Sequence, residues 1–490
     1  MPLDLSPELL FGGEVPLPPP KRRIFYNRTL NLRSIQAVGF DMDYTLVHYQ
    51  EEQWEGRAYE HCKERLLHLG LPVQSLTFDP SLGMLGLVLD LKLGNVVKAN
   101  RFGYIKRASH GTRQLEFEEM RKIYANTLID LSDRRWVFMS TLFGLSETCL
   151  FMQLVDLFDA HKLSGISDYA QLYELIREHI DAAHMEGALK AEILKDPEKY
   201  IDFDPDLVPA LDDLRHAGKK VLLITNSEWS YTKAVLSYVV ERHDPKRSWR
   251  SLFDLVIVGS RKPAFFSERM PAFEVIDEAG HLLPSGAKLQ LGKCYFGGNA
   301  ELVEKSLNIP GEEILYVGDH IFSDVNVSKS LHRWRTGLII RELEKEVSAL
   351  EEFKPLQGEL SRLMSEKELL EHRYSLLRLL AQRIEQGYGD RPSNVDLAAI
   401  RAEMRELRSR LVALDERIAP LAKAASELNH PRWGLLMRTG NDKSYLARQI
   451  ETHADIYTSR VSNFLYVTPF VYLRSPRGSL PHDFGPEGGV

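Results

Sequence analysis

Four short apolar runs punctuate the chain, and each gives way at once to polar or glycine residues. Ala37-Val38-Gly39-Phe40 precedes an acidic cluster, and Val221-Leu222-Leu223-Ile224 precedes Thr225-Asn226-Ser227. Leu255-Val256-Ile257-Val258 precedes Gly259-Ser260-Arg261-Lys262, and Ile314-Leu315-Tyr316-Val317 precedes Gly318-Asp319. Each run has the length of a buried strand and stops at residues that favour turns. Helical patterns, such as 207–217 and 231–240, lie between several of them. Strands alternating with helices predict an α/β fold, a doubly wound parallel sheet with helices on both faces. Ligands of such sheets bind beyond the carboxyl ends of the strands. All four polar clusters fall there, which makes them candidates for one site.

Two segments break the alternation. Residues 46–204 are far more than a crossover needs and read as an inserted cap that sets substrate specificity. In 342–424, Leu356, Leu360, Leu363, Leu370, Tyr374, Leu377 and Ile384 follow a heptad seam, with Lys367 and Ala381 at intervening seam positions. After Gly387-Tyr388-Gly389-Asp390-Arg391-Pro392 a second seam follows: Ile400, Met404, Leu407, Leu411, Leu414 and Ile418. Alternating spacings of four and three around a Gly/Pro break predict an antiparallel helical hairpin, either a strut on its own chain or a subunit contact. The expected organisation is an N-terminal arm and first core strand (1–45), the cap (46–204), the catalytic core (205–341), the hairpin (342–424) and a C-terminal segment returning to the core (425–490).

Composition narrows the function. The 490 residues are 44% hydrophobic and 27% charged, with a formal net charge of -7. That is the balance of a soluble globular protein of several domains. It lacks the basic excess that a nucleic-acid polymer would call for. No uninterrupted apolar stretch approaches the ~18 residues of a membrane span. Cys62, Cys149 and Cys294 are far apart and odd in number, which fits a reducing, cytoplasmic compartment and neither a disulfide framework nor a zinc site.

The acidic cluster is Asp41-Met42-Asp43-Tyr44-Thr45. Two carboxylates two residues apart at a strand end point the same way. One can attack phosphorus as a covalent nucleophile while the other handles the leaving group's proton. Taken alone, such a cluster is as well explained by a turn. Thr225 and Asn226 offer a hydroxyl and an amide for phosphate oxygens, or simply cap a helix. Lys262 can neutralise charge on a phosphoryl group. Gly318-Asp319-His320-Ile321-Phe322-Ser323-Asp324 brings two more carboxylates opposite Asp41, an oxygen-rich pocket suited to magnesium.

In that order the motifs resemble those of the haloacid-dehalogenase superfamily. More narrowly, the chain resembles the cytosolic purine 5'-nucleotidases that act on IMP and GMP. The stretches concerned are Phe40-Asp41-Met42-Asp43-Tyr44-Thr45-Leu46, Thr141-Leu142-Phe143, Thr225-Asn226-Ser227, Arg261-Lys262-Pro263, Tyr295-Phe296-Gly297-Gly298 and Gly318-Asp319-His320-Ile321-Phe322, with Arg432-Trp433-Gly434 and Arg438-Thr439-Gly440 near the C-terminus. The resemblance implies that Asp41 is the nucleophile and Asp43 the acid/base. It implies that Mg2+ is held by Asp41, the Asp43 carbonyl, Asp319 and Asp324, and that phosphate is held by Thr225, Asn226, Lys262 and Lys190. It places Arg177, Asp181, His184 and a stacking Phe143 around the purine, and implies a homo-oligomer, dimer or tetramer. Arg177, Asp181 and His184 fall at i, i+4 and i+7 on one helix face. A donor beside an acceptor suits a 6-oxopurine edge.

The activity expected is hydrolysis of purine nucleoside 5'-monophosphates through an aspartyl phosphate, which a nucleoside could also capture. Two alternatives stay open. One is a phosphatase of the same chemistry for another monoester. The other is a non-catalytic assembly protein that works through its hairpin. A dehalogenase has no leaving oxygen to protonate and no use for Asp43.

Overall fold

The computed structural model describes residues 18–141, 144–185, 187–390 and 396–476. These residues form two compact units, one of the described residues up to 345 with 436–475, the other of those in 346–435.

The first unit is built on a ten-stranded sheet. Across it the strands run Phe25–Tyr26, Ile456–Thr458, Arg335–Ile339, Ile314–Gly318, Ala37–Phe40, Lys220–Ile224, Leu255–Val258, Cys294–Gly297, Ala272–Val275 and Leu282–Pro284. From Ile456–Thr458 to Cys294–Gly297 neighbours are parallel, and the strands outside them are antiparallel. The four apolar runs are adjacent strands at the centre of this sheet. Their alternate residues enter two different cores. Val38, Phe40, Val221, Leu223, Leu315 and Val317 face one, while Ala37, Leu222, Ile224, Ile314 and Tyr316 face the other. Strands buried on both faces read as continuous apolar runs, not alternating ones.

The 46–204 segment leaves and rejoins the sheet through a two-stranded ribbon, His48–Tyr49 against Ile201–Asp202. Within it Val88–Asp90, Asn95–Ala99, Ile105–His110, Arg113–Gln114 and Trp136–Phe138 form a five-stranded antiparallel sheet. Helices Glu51–His68, Leu145–Asp159 and Tyr169–Met185 pack on one another.

The second unit is a helical hairpin. Helix Leu397–Glu427 packs on the preceding helix, which ends at Gln386. Leu363, Leu370, Leu407, Leu414 and Ile418 form its core. Lys367 pairs with Asp415, Arg373 with Glu403 and Glu385 with Arg401. As one number rises the other falls, so the helices are antiparallel. The seam departs from expectation at Leu356, which is 44% exposed. In this register Leu356 lies level with the last turn of the partner helix, where Ser426 and Glu427 offer no apolar contact.

Among the described residues, no helix is long and apolar enough to cross a membrane. Cys62, Cys149 and Cys294 are buried and unpaired.

Candidate active site

Asp41 is the first residue past its strand, and its N–H donates to the Val317 carbonyl at 2.9 Å. Asp319 follows the neighbouring strand directly, and Asp324 sits in a π-helical turn, Ile321–Asn326, that bends back over the strand end. A side chain on Gly318 would meet the Asp324 carboxylate at 2.5 Å, so glycine is what permits this approach. Carboxylate oxygens of Asp41, Asp319 and Asp324 all lie within 4.8 Å of one another.

Lys262 ties the cluster together. Its Nζ is 2.8 Å from Asp41 Oδ1 and 2.8 Å from Asp324 Oδ1. It also donates to the Tyr316 hydroxyl at 3.0 Å, which in turn donates to the Ile224 carbonyl at 2.9 Å. Tyr316 reaches this position because its ring crosses Gly39, where a Cβ would stand 2.9 Å from the ring. Burial, together with Asp324 and Asp43, pushes Asp41 up to about 7 against the pull of Lys262. Burial, Asp324 and Asp41 raise Asp319 well above the ordinary carboxylate range. Burial works against the Lys262 ammonium, but Asp324 and Asp41 outweigh it and hold it well above its usual value. Three clustered carboxylates with one ammonium paired to two of them leave a deficit of positive charge. An all-oxygen donor set of this kind fits a hard divalent cation.

Thr225 and Asn226 end the next strand. The Thr225 hydroxyl accepts from Ser227 N–H at 3.1 Å, which leaves its own hydrogen to donate. Asn226, expected at the phosphate, is committed to the Lys262 loop. Its Oδ1 accepts from Ser260 Oγ at 2.8 Å and Lys262 N–H at 2.6 Å, and its Nδ2 donates to the Lys262 carbonyl at 3.1 Å. The amide thus fixes the loop that carries Lys262, which leaves at most one amide hydrogen for phosphate.

The Asp43 carboxylate is not part of the three-carboxylate cluster; only its backbone carbonyl was expected to face a metal. Its Oδ1 accepts from the Tyr49 hydroxyl, and its Oδ2 accepts from Ser227 Oγ at 2.6 Å.

A second pocket, where the inserted segment meets the turn after the Ile314–Gly318 strand, is lined by Arg177, Asp181, Glu147, Thr141, Ser140 and His320, with neighbouring apolar groups. Arg177 donates to Asp181 at 3.0 Å and to Glu147 at 3.2 Å. Burial raises Glu147 above its ordinary value despite Arg177. Thr141 at the floor donates to Asp319 at 3.2 Å, which joins this pocket to the carboxylate cluster. His320 Nδ1 accepts from Phe322 and Ser323 N–H, so Nε2 carries the hydrogen that faces Ser140 Oγ at 3.4 Å. Phe143 and the His184 side chain lie outside the described residues. Lys190, expected at the phosphate, has its ammonium 4.9 Å over the Tyr231 ring.

Sequence reasoning missed Glu147, Tyr316, Tyr49, Tyr231 and Ser227. Glu147 carried a signal, as an acid in the otherwise apolar or neutral run Leu145-Ser146-Glu147-Thr148-Cys149-Leu150-Phe151. The hydroxyls carried none, because their partners come from elements remote in sequence.

The profile of the 5' nucleotidase family matches residues 24–485. Over 478 residues the chain is 29% identical to "5'-nucleotidase domain-containing protein 2" of Homo sapiens, covering 94% of this chain and 85% of that protein. The protein of the same description in Rattus norvegicus is also 29% identical, over 94% of this chain and 80% of its own length. Among solved structures, an archaeal beta-phosphoglucomutase from Pyrococcus sp. Strain ST 04 aligns with 62% of this chain and 86% of its own, at 12% identity and a TM-score of 0.29, too loose to weigh further.

Proposed function

The chain belongs to the 5' nucleotidase family, and we propose that this phosphoric monoester hydrolase acts on purine nucleoside 5'-monophosphates, IMP and GMP before others, with magnesium and through an aspartyl phosphate on Asp41. The observation that carries the reading is the placement of Asp41, Lys262 and Asp324 in ion-pair contact beyond the carboxyl end of the sheet.

Asp41 Oδ attacks phosphorus in line, forming the acyl phosphate bond as the bond to O5' breaks. Asp43 gives O5' its proton, then takes one from the water that attacks the phosphoenzyme. Inorganic phosphate leaves and Asp41 is restored. Lys262 neutralises charge on the phosphoryl oxygens throughout, and Thr225 donates to one of them. Asp41, Asp319, Asp324 and the Asp43 carbonyl would hold magnesium, which when bound adds positive charge against the same oxygens. In the second pocket Arg177 donates and Asp181 accepts, a pair that matches a 6-oxopurine edge and mismatches an adenine amine. Attack by a nucleoside hydroxyl in place of water would make the protein a phosphotransferase. The unpaired cysteines support a cytoplasmic location, and a homo-oligomer is part of the same reading.

The test is phosphate release from a panel of nucleoside monophosphates, with magnesium and with EDTA, by wild type and Asp41→Asn. Magnesium-dependent release favouring IMP or GMP, abolished in Asp41→Asn, is the expected result. Release from p-nitrophenyl phosphate but from no purine nucleotide would keep the chemistry and reject the substrate.

A further inference from the structure

Asp43 must swing a proton onto a leaving oxygen, yet both its carboxylate oxygens are taken. Tyr49 Oη donates to Oδ1 and Ser227 Oγ donates to Oδ2. The Tyr49 hydroxyl also lies 2.9 Å from the Tyr231 hydroxyl. A phenol has one hydrogen, and that of Tyr49 goes to Asp43, so Tyr231 is the donor in the pair. The result is a one-way relay from Tyr231 through Tyr49 to Asp43. Tyr49 and Tyr231 are 5% and 3% exposed, so water does not substitute for either hydroxyl.

The two phenols belong to different parts of the chain. Tyr49 lies in the ribbon by which the 46–204 segment leaves the sheet, paired with Ile201 on the returning strand. Tyr231 is on the helix Trp229–His243 that follows the Thr225-Asn226-Ser227 strand end. Lys190, on the helix Ala188–Lys195 of the inserted segment, sets its ammonium over the Tyr231 ring. Two separate stretches of the inserted segment therefore bear on the group that aims Asp43.

We propose that Tyr49 is a positioning residue for proton transfer: its hydroxyl sets the direction of the Asp43 carboxylate, and Tyr231 and Lys190 tie that setting to the inserted segment. The inference rests on the reading of Asp43 as the acid. Tyr49 touches neither substrate nor the reacting atoms; it acts through Asp43.

A lost aim and a lost fold are separable through the leaving group. A ribose 5'-oxygen needs a proton to depart, whereas p-nitrophenolate leaves without one. In Tyr49→Phe the ring keeps its packing against Trp54, 4.4 Å between centroids, and only the hydroxyl goes. First-turnover release of inosine from IMP is expected to fall about tenfold or more, with KM unchanged within about twofold. First-turnover release of p-nitrophenolate from p-nitrophenyl phosphate is expected to change by less than about threefold. Tyr231→Phe, one hydrogen bond further out, is expected to move the same way by about threefold, and it carries the test if Tyr49→Phe does not fold. Equal losses on both esters, or no loss on IMP at an unchanged unfolding midpoint, would overturn the proposal. Wild type is measured first: release of p-nitrophenolate without inosine rejects the nucleotide reading alone. The same comparison is then made on glycerol 2-phosphate, whose alkoxide also needs the proton.

Discussion

The carboxylate cluster and the pocket around Arg177 are built in opposite ways. Lys262 and Asp324 have side chains only 2% and 1% exposed. Their cluster draws residues from several strand ends, braced by Tyr316 and by the Asn226 amide. Arg177 and Asp181 have side chains 53% and 55% exposed and sit one turn apart on a single helix, beside the buried Glu147. A buried, cross-braced site holds charge in fixed geometry at low dielectric, where electrostatic stabilisation is strongest. A solvated pair on one helix gains little from its own attraction and can change without disturbing the core. On the proposed reading, the chemical step belongs to the sheet and the choice of substrate to the inserted segment.

The largest effect that would break this contrast is at the proposed nucleophile. Asp41→Asn is expected to lower kcat by about ten-thousand-fold or more on every ester, measured as phosphate release. The unfolding midpoint should hold or rise, by about 1 kcal/mol in stability, because a neutral amide escapes the burial penalty that outweighs the pull of Lys262 on this carboxylate. Activity and stability that fall together would mean that the cluster is structural. The next effect is that of the cation. Magnesium at about 100 times its dissociation constant should stabilise wild type by about 2–3 kcal/mol, read in thermal unfolding. Asp319→Asn should lose most of that gain, and Asp181→Asn none of it.

The same contrast explains what could be read from the chain. Strands buried on both faces must be apolar throughout, so Ala37–Phe40 and Leu255–Val258 stand out, and with them the polar residues at their ends. Arg335–Ile339 and Ile456–Thr458, toward one edge of the same sheet, interleave polar residues or glycine and gave no such signal. The hairpin was legible because its packing repeats every seven residues, and Leu356 failed where the partner helix runs out. Tyr49, Tyr231 and Glu147 were hidden because their partners are chosen by tertiary contacts that no local pattern records. Asn226 was visible as a polar residue at a strand end, but its grip on the Lys262 loop required the fold.

Selectivity should respond where chemistry does not. Arg177→Ala and Asp181→Ala are each expected to lower the preference for IMP over AMP, as a ratio of kcat/KM, by about 10- to 100-fold, the cost of an unmet polar partner. Turnover of p-nitrophenyl phosphate, which has no base to recognise, should stay within about twofold, since neither residue touches the carboxylate cluster. A preference left intact in both variants would remove the purine from the reading and leave a phosphatase for another monoester.

The smallest effect separates the two regions without mutation. Pairs between exposed charges weaken as salt rises, because screening shortens their reach to about 3 Å at 1 M. Arg177 and Asp181 meet that condition; Lys262, Asp41 and Asp324 do not. IMP and AMP carry the same phosphate charge, so salt acting on phosphate capture cancels in the ratio of their kcat/KM values. What remains is the response of the pocket around Arg177. That ratio is expected to fall by about two- to threefold between low and high salt, while kcat on saturating IMP stays nearly constant. In Arg177→Ala the ratio should no longer respond to salt. If kcat itself fell with salt while the ratio held, the screened charges would be those at the sheet, and the assignment of the two regions would have to be reversed.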